Sequence, residues 1–471
     1  PVDPEDPGVP GGSPNNPDPD PEPLPVSVTL AEHTFSPFMV GDSIDHDFSG
    51  QLAVANGEAA DVTWSVGSPS NLPVGPGLTG SVLSGEFEQA GEFDFELVAT
   101  HPDADDPARQ VYTIVVNGVT LQVTQIDGGT NHTCAVTVSG GAKCWGYNAL
   151  GQLGDGTTTQ PTAPVNVSGL GSGVTSIAAG EYHTCAVTVS GGVKCWGYNA
   201  YGQLGDGSTT DRTTPVNVSG LGAGVTSITA GNYHTCAIHN GAARCWGNNG
   251  YGQLGDGTTT NPRKTFVTVS GLGSGVTSIS AGQYHTCAVT ASGGAKCWGN
   301  NNNGQIGDGT TTPRNTPVNV SGLTSGVTSI SGAAHTCAVT VSGGVKCWGY
   351  NAYGQLGDGT TTPRNTPVNV SGLASGVTSI AVGLYHTCAV HGGAAKCWGG
   401  NGYGQLGDGT TSDRATPVSG LASGVTSITA GNLHTCAVHG GAAKCWGYNV
   451  HGRLGDGTTT QRNTPVNVSG L

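Results

Sequence analysis

The chain has 471 residues, of which 35% are apolar, 6% aromatic and 81 are glycine, with a formal charge of −15. No run of 18 apolar residues occurs, which excludes a membrane-spanning helix. Large apolar side chains are scarce for this length, so burial alone is a weak source of stability, and the fourteen cysteines are the visible supplement.

The charge is unevenly placed. Residues 1–118 hold twenty acids and one base, Arg109, a sum of −19, whereas residues 119–471 hold eleven acids and fifteen bases, a sum of +4. Such a split permits head-to-tail attraction between molecules; it also serves simply to keep a secreted domain soluble. The start at Pro1, with neither a methionine nor a signal peptide, reads as a processed or trimmed chain, or as an expression boundary.

Residues 1–23 alternate proline with Asp and Glu and are expected to form an extended tail without a core of its own. Docking of that tail on its own chain or on a neighbour is the functional alternative. Residues 24–118 read as one small all-β domain. Val26, Val28 and Leu30 alternate with Ser27, Thr29 and Ala31, and further strand-like runs are Val62–Val66, Glu92–Val98 and Val111–Val116. The string Thr63-Trp64-Ser65-Val66, Leu72-Pro73, Ser84-Gly85 and Ala90-Gly91-Glu92-Phe93 resembles bacterial immunoglobulin-like or cadherin-like surface modules. The usual proline after Ser-Gly is missing here. The resemblance implies a β-sandwich and no chemistry.

Residues 119–471 hold seven near-copies of one unit, whose first cysteines are 51, 51, 51, 50, 51 and 48 residues apart. The second copy shows four β-prone pieces: Val174–Ile177, His183–Val187, Val193–Trp196 and Pro215–Val218. Four short strands at a period near 50 predict one propeller blade per unit. The string His-Thr-x-Ala-Val, Trp-Gly-x-Asn-x-x-Gly-Gln-Leu-Gly-Asp-Gly and Thr-Pro-Val is similar to the regulator-of-chromosome-condensation repeat, and that resemblance implies a seven-bladed β-propeller. Departures are Ile306 for Leu, Arg453 for Gln, a shortened sixth unit at Thr416–Gly420, and the cysteine pair in every unit. The fold class expected is therefore all-β, a seven-bladed propeller behind an immunoglobulin-like sandwich.

The cysteines fall into seven pairs: Cys134 with Cys144, Cys185 with Cys195, Cys236 with Cys245, Cys287 with Cys297, Cys337 with Cys347, Cys388 with Cys397, and Cys436 with Cys445. If Cys134 faces Cys144 across a hairpin, Val136 faces Ala142 with a five-residue turn. In the third unit Ile238 faces Ala243 with a four-residue turn. Opposed residues lie about 4.5–5.5 Å apart, within disulfide range. Seven intra-blade disulfides are expected, and with them an oxidising compartment, the cell surface or beyond. Zinc needs closer cysteine spacing, and the Gly-Asp-Gly turns lack the carboxylate density of a calcium loop, so no metal or cofactor is expected. Those turns read instead as Asp and Gly adopting positive φ.

The seven histidines before Thr-Cys recur at one position and are expected to hold blades in register through backbone hydrogen bonds, and the seven tryptophans to pack blades together. Glu181, His239, His391, His439, His451 and Arg453 break the repeat, the first three histidines as exposed parts of hairpin turns. No nucleophile, base and orienting group can be assembled from them, so no enzyme is expected. Asn131, Asn166, Asn217, Asn319, Asn369 and Asn467 head sequons and are glycan acceptors in principle.

Two functions remain. The first is a secreted structural or adhesive protein that assembles with copies of itself into a filament or surface layer, by docking its tail or the strand Val26–Ala31 on the next subunit. The alternative is an extracellular propeller that binds a glycan or protein through loops holding Tyr147, Tyr198, Tyr201, Tyr251 and Tyr353. Nucleic-acid binding and membrane insertion are not expected. The nucleotide-exchange role of the resembled family fits poorly, because disulfides imply a different compartment.

Overall fold

A computed structural model describes residues 25–36, 38–39, 43–67, 76–86, 91–117 and 122–471. The chain divides into two units, Pro1–Val119 and Thr120–Leu471. The acidic tail, the Leu72-Pro73 segment and Ala90 lie outside the described residues.

In the first unit, Phe38–Met39, Ala108–Asn117, Gly91–Thr100 and Thr63–Val66 form one sheet in that order, and Ser43–Asp47, Val82–Glu86 and Gly77–Thr79 form another. Ile44 and Leu83 from the second sheet and Phe93, Phe95, Leu97, Tyr112 and Ile114 from the first close on Phe48 in one apolar core. Alternation in Phe93-Asp94-Phe95-Glu96-Leu97 makes this possible, since every second side chain points inward. Ser27–Leu30 pairs antiparallel with Leu52–Ala55 of the same chain, so this segment is a strand of its own domain on that edge.

The second unit is seven four-stranded antiparallel sheets, each made from consecutive strands. In the second blade these are Val174–Ala179, His183–Thr188, Val193–Gly197 and Arg212–Asn217. The first strands pack side by side in a closed ring, with Val123–Gly128 of blade one beside Val425–Ala430 of blade seven. Blade one has a short outer strand, Val165–Asn166. Pro161 stands there where blade two has Arg212, and proline has no N–H to give the ladder.

Apolar burial lies between blades. Trp246 of blade three closes on Cys185, Val193, Cys195, Leu204, Val218 and Leu221 of blade two, and Trp145 closes on Cys436, Cys445 and Leu454 across the ring junction. All seven tryptophans of the propeller are fully buried. Each blade alone would expose this surface, so the array is stable only as a ring.

The cysteines pair as their registers require, with one disulfide in each blade. Cys134 bonds Cys144, Cys185 bonds Cys195, Cys236 bonds Cys245 and Cys287 bonds Cys297. Cys337 bonds Cys347, Cys388 bonds Cys397 and Cys436 bonds Cys445. Each pair stands directly opposite across its hairpin, as Cys287 does to Cys297, Cys337 to Cys347 and Cys388 to Cys397. Their Cα atoms are 4.1 Å apart, closer than the spacing expected for opposed unlinked residues. In the third blade pairing runs one step further than expected, to His239 opposite Ala242, and leaves a two-residue turn. Asn240 and Gly241 take φ of 50° and 75° there, the backbone of a type I′ hairpin. His239, His391 and His439 are consequently half-buried strand residues, not exposed turn residues.

A candidate binding face at the tyrosine end of the propeller

One end of the propeller carries the loops between first and second strands and between third and fourth strands; the hairpins between second and third strands lie at the other. A three-way contact made by His, Thr and Trp holds the first end together. His183 Nε2 meets Thr235 Oγ1 of the next blade at 2.9 Å, and the same bond recurs in every blade at 2.6–3.0 Å, closing with His434 on Thr133. Each Thr hydroxyl donates to a carbonyl of the preceding blade at 2.7–2.8 Å, as Thr235 does to Gln203. The following tryptophan Nε1 donates to that same carbonyl at 2.8–2.9 Å. Because the hydroxyl hydrogen is committed, the imidazole must donate from Nε2, which places the neutral tautomer with a bare Nδ1. The histidines thus bond to threonine side chains, not to backbone as the sequence led us to expect. The backbone acceptors are already taken by Thr and Trp.

Burial holds His132, His183, His234, His335 and His386 down at about 3 and His285 at about 4, against an ordinary 6.5. Burial, with the nearby Arg453 guanidinium, keeps His434 well below that value too. Seven neutral rings locked in a structural ring are poor general bases. Gly180 makes the approach possible, since a Cβ there would lie 2.6 Å from both His183 Cε1 and the Gly231 carbonyl. Glutamine at this position uses both its carbonyl and its side chain, as when Gln203 Oε1 accepts from the Tyr201 N–H at 3.0 Å; Arg453 keeps the carbonyl contacts to Thr133 and Trp145 and sends its side chain elsewhere. Its side chain is fully buried, with the guanidinium 4.6 Å over the Tyr448 ring and Nη1 donating to the Thr130 carbonyl at 3.1 Å.

The long loops are built on a second repeated motif. Asn199 Oδ1 accepts from the Leu204 N–H at 3.0 Å, and Asp206 accepts from the Ser208 N–H at 2.9 Å and pairs with Arg212 at 2.8 Å. Burial pushes the Asp206 carboxyl upward, but the Ser208 hydroxyl, Arg212 and the Ser208 N–H together bring it below the ordinary range. Asp155 and its equivalents are side-chain acceptors; positive φ in these turns belongs to the flanking glycines, Gly154 at 73° and Gly156 at 89°, which corrects the expectation that Asp shares it. The loop then reaches the next blade, Gly207 N–H to Lys264 O at 3.1 Å, and closes the ring with Gly457 N–H to Thr162 O at 3.1 Å.

On this framework sit the tyrosines. Of thirteen in the chain, all but Tyr112 lie in these loops at one end. Tyr147, Tyr182, Tyr233 and Tyr284 succeed one another across four blades at centroid spacings of 6.3–6.5 Å, with Tyr201 and Tyr251 packed outside them at 5.2 and 5.4 Å. Tyr350, Tyr353 and Tyr385 form a second group, and Tyr403 and Tyr448 a third. The row breaks at blade five, where Ala333 and Ala334 replace the residues before His335. Sequence reading finds Tyr147, Tyr198, Tyr201, Tyr251 and Tyr353 but misses Tyr350, Tyr403 and Tyr448 of the same long loops, and Tyr182, Tyr233, Tyr284 and Tyr385, whose shared place immediately before the buried histidine is the available signal. The opposite end instead exposes Val138, Val189 and Val341.

Inside the ring of first strands runs a channel of about 290 Å³. Asp127 and Glu181 line it, and no lysine or arginine does among the described residues. Asp127 is satisfied by the Ala179 N–H and the Thr429 hydroxyl, both at 2.8 Å. Glu181 Oε2 is covered yet has no hydrogen-bond partner among the described residues. Burial raises the Glu181 carboxyl; the hydroxyls of Tyr182 and Tyr233 approach the group and act against that rise, without completing a bond to Oε2. No group of three or more His, Cys, Asp or Glu suited to a metal is present among the described residues.

The RCC1-like domain profile matches residues 78–333, more than half of the chain, and the RCC1 repeat profile matches residues 342–390 and 397–438. The chain belongs to the RCC1-like family. The profile match begins in the first unit, whereas the first strand of the RCC1-like propeller begins at Val123. Curated relatives include the ultraviolet-B receptor UVR8 of Arabidopsis thaliana, 32% identical over 42% of this chain and 46% of that protein, and the probable E3 ubiquitin-protein ligase HERC4 of Homo sapiens, 35% identical over 43% of this chain and 20% of that protein. The chain thus spans less than half the length of these RCC1-like relatives. Human WBSCR16 superposes with a TM-score of 0.62 at 24% identity, over 70% of this chain and 94% of that one. Yeast RCC1 (Prp20), solved with Kap60, gives 0.62 at 21%, over 74% and 85%. These likenesses establish the propeller fold.

The sequon asparagines of this RCC1-like propeller sit in two settings. Asn166, Asn217, Asn319, Asn369 and Asn467 are exposed at the ends of outer strands. Lys194 Nζ donates to Asn217 Oδ1 at 2.8 Å, which leaves Nδ2, the atom a glycan takes, free of that bond. Asn131 is half-buried beside the ring junction, and the third residue of its sequon, Thr133, is fully buried.

Proposed function

We propose that this chain is a non-catalytic binding protein of an oxidising, extracellular compartment, which holds a glycan or protein partner on the tyrosine end of its propeller. One observation carries the reading: twelve of thirteen tyrosines converge on one end of a ring whose blades are otherwise near-identical. Tyrosine supplies large contact area, a polar tip and little entropy loss on binding, which is why it concentrates at recognition surfaces. The seven ring histidines are consumed by threonines, and the repeated aspartates are taken up by arginines in six blades and by Thr157 at Asp155, so these repeated groups serve the framework and not acid–base chemistry. The ligase activity named for HERC4 is not transferred, because the match covers a fifth of that protein. Seven disulfides support the compartment, and the exposed outer-strand sequons are compatible with it.

The first unit, with two sheets sharing one core, is read as an immunoglobulin-like or cadherin-like spacer. Self-assembly is a second reading, supported by the −19 and +4 charge split; the pairing of Ser27–Leu30 within its own domain removes that strand edge as a donor. The test is a glycan and extracellular-protein array probed with the full chain, beside Tyr201→Ser/Tyr251→Ser and Val189→Ser/Val341→Ser variants. Saturable binding lost only in the tyrosine variant supports the reading. Binding lost only in the valine variant, or no binding at all, overturns it.

A further inference from the structure

Glu181 is the one glutamate in residues 119–471, and it stands at a position held by Thr130, Asn232, Gln283 and Asn432 in other blades. Neutral side chains therefore suffice for the fold at this place. Its carboxylate lines the channel, with Oε2 covered but unpaired; Tyr182, Tyr233 and Tyr284 do not line the channel themselves but each follows a channel-lining residue, and their rings succeed one another at 6.5 and 6.4 Å. A covered carboxylate oxygen without a partner is costly and calls for a counter-charge or a donor from outside. Asp127 adds a second carboxyl to the lining of the same channel, which Arg453, stacked on Tyr448 and bonded to the Thr130 carbonyl, does not line.

We infer that Glu181, with Tyr182, Tyr233 and Tyr284, forms a receptor for an organic ammonium group at the mouth of the propeller channel. The inference deepens the binding-face reading and rests on it. The carboxylate supplies the counter-charge, and the tyrosine π-systems attract a cation whose alkyl groups cannot hydrogen-bond. A divalent metal fits poorly, since one carboxylate and phenol oxygens fall short of the six or more oxygens calcium takes. The channel's small volume suits a single head group.

The test is calorimetric titration of the full chain with choline, with 3,3-dimethylbutan-1-ol as its uncharged carbon analogue, and with an acetylated, amidated Gly-Lys-Gly peptide, using wild type, Glu181→Gln and Tyr233→Leu. Saturable choline binding that the alcohol does not reproduce, and that weakens about tenfold or more in Glu181→Gln with an unchanged melting temperature, supports the site. A peptide bound more tightly than choline assigns the ammonium to a protein side chain; the reverse order assigns it to a small quaternary ammonium. Wild type that binds no ammonium, binds the alcohol equally, or binds unchanged after Glu181→Gln overturns the inference. If tyrosine-dependent array binding persists in that case, the binding-face reading stands and only the ammonium site falls.

Discussion

Acidification should dismantle the histidine–threonine ring well before it reaches the carboxylates. An imidazole whose ordinary value is 6.5 and whose folded value is about 3 stays neutral in the ring while the unfolded chain takes up a proton. Its stabilising contribution is therefore complete above pH 6.5 and is lost as pH falls toward the folded value. At pH 5 each such histidine costs about 2 kcal/mol, and the six with folded values of about 3 or 4 cost on the order of 12 kcal/mol together, comparable with the whole stability of an ordinary domain, with His434 acting in the same direction. Asp127 and Glu181 work in the opposite sense, because their raised folded values gain protons as pH falls. The lowered aspartates, Asp206 among them, add their loss only below the ordinary carboxylate range. For a unit of roughly 350 residues, about 12 kcal/mol corresponds to a melting temperature lower by about 16 °C. Melting followed by near-ultraviolet circular dichroism at half-unit steps from pH 7.5 to 4.5 reads this directly, since seven of the eight tryptophans report on the ring. A His183→Gln variant should remove about 1.4 kcal/mol per pH unit from the slope. A melting temperature flat to a few degrees between pH 7.5 and 5 would refute the neutral, buried assignment.

Two further outcomes follow from local geometry. Gly180→Ala places a methyl group against His183 and the Gly231 carbonyl, and should destabilise the propeller by about 3 kcal/mol or more, read from urea unfolding; a loss under about 1 kcal/mol would mean the ring yields easily. Replacing Cys185 and Cys195 together by serine opens a loop of 10 residues' separation and should cost about 2–3 kcal/mol while the six other blades keep their disulfides, and an unchanged denaturation midpoint would show that this disulfide adds nothing to stability.

Much of this arrangement is readable within one repeat. Cys134 faces Cys144 because both lie at matching steps from a hairpin turn, and strand alternation needs only neighbouring residues to decide it. Turn chemistry is less transparent: His239 reads as a turn residue in the sequence, whereas Asn240-Gly241 closes the hairpin alone. The roles of histidine, threonine and tryptophan are harder still. Each bonds to a neighbouring blade, 30 to 52 residues away except at the ring junction, and repetition makes the same position in every copy an equally good partner within the sequence.

By itself the sequence determined the blade, its number and its covalent staple, because period, alternation and turn residues are local properties of the chain. Only the tertiary structure decided that His434 returns to Thr133 across 301 residues, that tyrosines from two kinds of loop meet at one end, and that Glu181 Oε2 is left without a partner. Those facts depend on ring closure, which brings the first and last repeats together and sets loops of neighbouring blades side by side, a geometry that no single repeat contains.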